Sequence, residues 1–101
     1  MDVFEAIADP TRRRIIELVS AGELSAGTIA REFDVSRPAV SKHLRVLREA
    51  GLVNSRGLAQ KRLYRVDQTA LDEIDRWLEK TREFWSARLD ALDHHLKGGS
   101  R

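Results

Sequence analysis

Residues 36–52, SRPAVSKHLRVLREAGL, constrain the fold more than any other stretch of the chain. Val40, Leu44 and Leu47 recur at helical spacing, so one face of the segment has to be buried. Arg37, Ser41, Lys42 and Arg45 gather away from that face with almost no acid in reach. Ser36 is suited to cap the helix start, and Pro38 lies in the first turn, where a proline loses no intrahelical hydrogen bond. Gly51 supplies the left-handed stop. Such a helix is held to its own domain by one face and offers a narrow, polar, basic strip on the other. A strip of that shape and charge suits the major groove of double-stranded DNA, where arginine, lysine and serine hydrogen-bond to base edges.

The flanking sequence builds a scaffold for this strip. Asp9 followed by Pro10 predicts a capped helix running to about Ser20, with Ile15, Ile16, Leu18 and Val19 turned inward and Ala21-Gly22 ending it. Ahead of it, Val3, Phe4, Ile7 and Ala8 predict an amphipathic turn or two, too short to be stable alone. Arg12 falls on the apolar side as a structural ion pair, while Arg13 and Arg14 point outward as solvated neighbours. Ser25 caps a second short helix carrying Ile29, Ala30 and Phe33, and FDVS is a tight polar turn into Ser36. The layout is helix, turn, helix. After Gly51, two β-leaning runs, Leu52 to Ser55 and Arg62 to Val66, are parted by RGLAQK, which predicts a hairpin with a basic tip.

From Asp67 or Thr69 onward, Leu71, Ile74, Leu78, Trp85, Leu89, Leu92 and Leu96 follow steps of three and four, and Trp77 and Phe84 widen the stripe. They predict one helix about 40 Å long, more than so small a domain can cover. Part of its stripe, and the apolar patch at Val3, Phe4 and Ile7, must meet another chain. The closing KGGSR reads as a frayed tail.

The fold class expected is therefore mostly α with a small β-hairpin, as a single domain over residues 1–97 and a tail over 98–101. Net charge is only +2, but residues 36–65 hold eight arginines and lysines against Glu49 alone, between acidic flanks. A compact basic block of that kind points to a polyanionic partner. With no cysteine, disulfides, thiolate metal sites and sulfur nucleophiles are closed. No serine, histidine and acid constellation and no glycine-rich phosphate loop stands out, so neither an enzyme nor a cofactor is expected. No apolar run approaches a membrane span of about 18 residues, and MDVFEAIADP lacks the basic-then-apolar order of a signal peptide. Those features lead us to expect a cytoplasmic protein without a membrane partner.

Through ADPTRRRIIELV, LSAGTIAREFDVSRPAVSKHLRVLREAGLV and KRLYRV, in order and spacing and over nearly the whole chain, the sequence resembles the ArsR family of winged helix-turn-helix repressors. The resemblance implies a homodimeric transcriptional repressor on a pseudo-palindromic operator, with the hairpin as wing and Lys61 and Arg62 touching backbone or minor groove. It also implies a dimer interface from the first and last helices, here Val3, Phe4, Ile7, Leu78, Trp85, Leu89 and Leu92. Metal-sensing members carry a cysteine motif where this chain has LSAGTIAR, which holds no ligand side chain. Asp90, Asp93, His94 and His95 offer ligands at one end of the last helix only, and adjacent histidines face about 100° apart. The chain is thus similar to metal-independent, autorepressor-like members, and no metal site is expected. A pocket under the dimer helices is a place for a small-molecule or protein effector. The competing reading is a protein-interaction or effector-sensing module built on the long helix with Trp77, Phe84 and Trp85, and the basic block argues against it.

Overall fold

The computed structural model describes residues 1–99; Ser100 and Arg101, half of the expected tail, lie outside the described residues. Residues 1–71 and the helix from 72 onward are two compact units.

The first unit begins with α1 (Val3–Ile7) and α2 (Pro10–Ser20). Asp2 caps α1 by accepting from the Glu5 N–H at 2.8 Å. Asp9 caps α2 by accepting from the Thr11 and Arg12 N–H groups at 2.7 and 3.2 Å, with Pro10 at the first turn. Partial burial acts to raise the Asp9 carboxyl, but these two donated hydrogen bonds and the Arg12 charge outweigh it and hold the group below its ordinary value. Arg12 does more than the expected ion pair. Its guanidinium lies 3.8 Å from Asp9, and its Nε donates to the Ala6 carbonyl at 2.6 Å. Arg13, expected to be merely solvated, donates to the Ile7 and Ala8 carbonyls at 2.8 and 3.2 Å. Two arginines of α2 therefore satisfy the carbonyls that end α1, which is how a helix of five residues is kept.

Next come β1 (Leu24–Ser25), α3 (Ala26–Glu32) capped by Ser25, and α4 (Arg37–Glu49) capped by Ser36. β2 (Val53–Leu58) and β3 (Lys61–Val66) complete an antiparallel sheet of order β1-β3-β2. Two features differ from expectation. The sheet has a third strand, with Leu24 opposite Tyr64 and Ser25 opposite Leu63. The hairpin is also tighter: Leu58 pairs with Lys61, so only Ala59 and Gln60 turn the chain, and Ala59 takes φ 57°. Ile15, Val19, Ile29, Val40, Leu44, Leu47 and Leu52 form the buried core, where α2, α3, α4 and the sheet meet. Each such side chain contributes about 1.5 to 3 kcal/mol when fully buried.

The second unit is the body of α5 (Gln68–Gly99), a helix of 32 residues whose start is marked by Asp67 accepting from the Thr69 N–H at 2.9 Å. Its backbone stays helical through Gly99, past the point where fraying was expected. Leu78, Trp85, Leu89, Leu92 and Leu96 are 43 to 63% exposed. Among the described residues no helix is long and apolar enough to cross a membrane.

Candidate nucleic-acid interface

α4 divides its residues as its sequence requires. Ser36 Oγ accepts from the Ala39 N–H at 3.3 Å, and the proline costs nothing in that turn. At the other end the Gly51 N–H donates to the Arg48 carbonyl and the Leu52 N–H to the Leu47 carbonyl, at 3.0 and 2.9 Å. This double bond pattern needs a left-handed residue, and Gly51 supplies it with φ 82°. Val40, Leu44 and Leu47 are thereby fixed in the core, and Arg37, Ser41, Lys42 and Arg45 all stand exposed. His43, at the border of the two faces, is half-buried, and its Nδ1 has no hydrogen-bond partner among the described residues.

A groove of about 440 Å³ opens between α3, the first turns of α4 and the hairpin. Arg37 and Ser41 line it from α4, and Lys61 and Arg62 line it from β3. Thus four of the six residues expected to contact DNA converge on one groove, while Lys42 and Arg45 lie exposed on α4 outside its lining. No carboxylate lines the groove. Arg62 is steadied by donating to Ser55 Oγ across the hairpin at 3.1 Å.

Sequence reasoning did not select Thr28, Arg31, Gln60 or Tyr64, which share the same groove. Arg31 donates to Thr28 Oγ1 at 3.2 Å, one turn back on α3. What joins them to the wing is the pairing of β1 with β3, a contact between segments about forty residues apart that no local pattern announces. Chain-distant pairing also alters the charge of the wing. Arg56 makes a two-pronged bond to Glu23, Nε to Oε2 at 2.7 Å and an NH2 donation to Oε1 at 2.8 Å. The hydrogen bond from Arg56 holds the Glu23 carboxyl below its ordinary value, and the same bond raises Arg56. Arg65 donates to Asn54 Oδ1 at 2.8 Å on the neighbouring strand.

Of the residues expected at a dimer interface, Leu78, Trp85, Leu89 and Leu92 are exposed on α5, Phe4 is 36% exposed and Ile7 is half-buried. Val3 departs from the expectation. It is only 7% exposed because its own chain covers it, so it has little surface left for a second copy. Among the described residues no group of three or more histidines, cysteines or acids could hold a metal ion, and Asp93 is paired with Lys97 at 3.0 Å.

Residues 7–56 match the model of a family described as a helix-turn-helix domain. The chain is 38% identical over 77 residues to the transcriptional repressor SdpR of Bacillus subtilis, covering 76% of this chain and 86% of that protein. It is 43% identical over 86 residues to the HTH-type transcriptional regulator Rv2034 of Mycobacterium tuberculosis, covering 85% and 78% of the two chains. An ArsR-like transcriptional regulator from Rhodococcus sp. RHA1 superimposes with a TM-score of 0.76 at 36% identity, over 89% of this chain and 85% of that one.

Proposed function

The chain belongs to the ArsR family of winged helix-turn-helix transcriptional regulators, and from that premise we propose that it is a homodimeric repressor of a pseudo-palindromic operator in double-stranded DNA. The observation that carries this reading is the exposed strip of α4, Arg37, Ser41, Lys42 and Arg45, held rigidly by the buried Val40, Leu44 and Leu47. The strip enters the major groove and meets base edges. Lys61 and Arg62, across the groove from Arg37, take the sugar-phosphate backbone or the minor groove, and Arg31 joins them there. Residues 1–97 act as one DNA-binding module in the cytoplasm, without catalysis.

Two copies pair through Leu78, Trp85, Leu89 and Leu92, with Phe4 and Ile7 adding apolar surface. A handful of such side chains, at about 1.5 to 3 kcal/mol each, offsets the cost of association. Pairing sets two recognition helices about 34 Å apart, one helical repeat of DNA. We expect regulation without a metal: the chain has no cysteine thiolate, and Asp90, Asp93, His94 and His95 offer ligands at one end of α5 only.

Titrating wild type, Arg37→Ala, Lys42→Ala and Lys61→Ala against a selected operator and a random duplex tests the reading. Lys42→Ala and Arg37→Ala should each lose about 1 to 3 kcal/mol on the operator and relax its sequence preference. Lys61→Ala should weaken both duplexes alike. Unchanged affinity and specificity in both α4 variants would sink the assignment.

A further inference from the structure

The chemistry of the exposed face of α4 goes beyond basic charge. Between residues 37 and 45 the exposed polar side chains of α4 are Arg37, Ser41, Lys42 and Arg45. Three of these only donate hydrogen bonds, and the serine hydroxyl takes either sense. Each base asks for something different in the major groove. Guanine presents two acceptors, O6 and N7, which arginine and lysine match, whereas adenine presents an acceptor beside a donor, which the amide of asparagine or glutamine matches. Cytosine presents a donor, which an acid accepts.

α4 contains no asparagine and no glutamine. The whole chain has three amide side chains, Asn54, Gln60 and Gln68. Asn54 accepts from Arg65 within the sheet, Gln68 opens α5, and Gln60 lines the groove from the hairpin tip, on the wing and not on α4. The one acid on α4, Glu49, is its last residue, far from the end that enters the groove. Neither ion pairs nor side-chain hydrogen bonds engage Arg37, Lys42 or Arg45 among the described residues, so their donors are open to a ligand.

We infer that this face reads guanine: each operator half-site carries at least two guanines whose O6 and N7 are met by donors among Arg37, Lys42 and Arg45. The inference rests on the operator-binding reading and adds to it the class of base recognised. Phosphate neutralisation alone would use the same cations with no base preference, so the decisive probe must change the base edge and leave the backbone intact.

Selection of duplexes from a random pool comes first. Each fixed guanine is then replaced by 7-deazaguanine, which removes the N7 acceptor while keeping Watson–Crick pairing and every phosphate. Affinity should fall about 5- to 20-fold for each contacted guanine and stay level for guanines outside the half-sites. Repeating the selection with Lys42→Gln should turn one position per half-site from guanine to adenine, because an amide has both a donor and an acceptor. Half-sites fixed only at A·T pairs, or fixed guanines indifferent to 7-deazaguanine, overturn the guanine inference and leave operator binding standing. A pool with no enriched sequence overturns both.

Discussion

α4 and α5 carry the same signal in sequence and meet opposite fates. Each is amphipathic, with leucines at steps of three and four. In α4 the stripe is gone from the surface, with Val40, Leu44 and Leu47 each at 1% exposure or less. In α5 the corresponding side chains keep around half of theirs. Periodicity states that a face needs cover, and it is silent on which chain provides it. Length decides: a helix of 13 residues fits against one small core, while 32 residues outrun it. If two copies pair through α5 as proposed, the stability of the first stripe is a property of one chain and that of the second depends on protein concentration.

Four substitutions break or sharpen this contrast. Leu89→Asp should act most strongly, since a dimer would trap one carboxylate from each copy in an apolar seam; sedimentation equilibrium should show dimerisation weakened at least about a thousandfold, and operator binding should fall with it. A wild-type chain that stays monomeric at micromolar concentration while binding its operator tightly would remove the distinction altogether. Leu44→Ala should lower folding stability by about 2 to 5 kcal/mol in denaturant titrations, because it leaves a cavity in a core the chain closes by itself. Asp9→Ala should cost about 1 kcal/mol at neutral pH. The Asp9 carboxyl is held below its ordinary value, so its contribution is complete above that value and fades as pH drops through the lowered one; the gap from wild type should close below about pH 4. Ala59→Gly should be the smallest change, a gain of about 0.5 kcal/mol, because φ 57° strains an alanine while glycine loses more freedom on folding. A loss there instead would mean that the tip is held by contacts and not by its turn.

Local chemistry made much of this molecule readable in advance. Asp9-Pro10, Ser25 and Ser36 mark helix starts because a capping side chain acts on a backbone N–H two or three residues away, and Gly51 marks a stop for an equally local reason. The exposed strip of α4 was legible on the same grounds. What escaped depends on residues far apart in the chain. β1 has two residues, too few for any alternation, and exists because β3 offers it an edge. RGLAQK reads as the stretch between two short strands, yet cross-strand pairing carries Arg56, Gly57 and Leu58 into β2 and Lys61 into β3 and leaves the turn to Ala59 and Gln60. Arg13 reads as a surface charge until the carbonyls ending α1 are seen beside it. Arg31 meets the groove because β1 pairs with β3, and Tyr64 stands there opposite Leu24, a placement that neither local sequence announces.

The bond between Arg56 and Glu23 has a consequence for how firmly this protein should respond to ionic strength. A cation that neutralises a phosphate displaces condensed counterions, and each such contact adds about 0.9 to the slope of log affinity against log salt. Arg56 already faces a carboxylate on both prongs, so it displaces no counterion when DNA arrives. Of the eight cations that the sequence concentrates between residues 36 and 65, Arg56 should thus be silent in a salt titration. The same bond ties the residue just before β1 to β2, so the strand that carries the silent charge is braced against the body, and the proposed contacts leave the salt dependence to Lys61, Arg62 and the strip on α4.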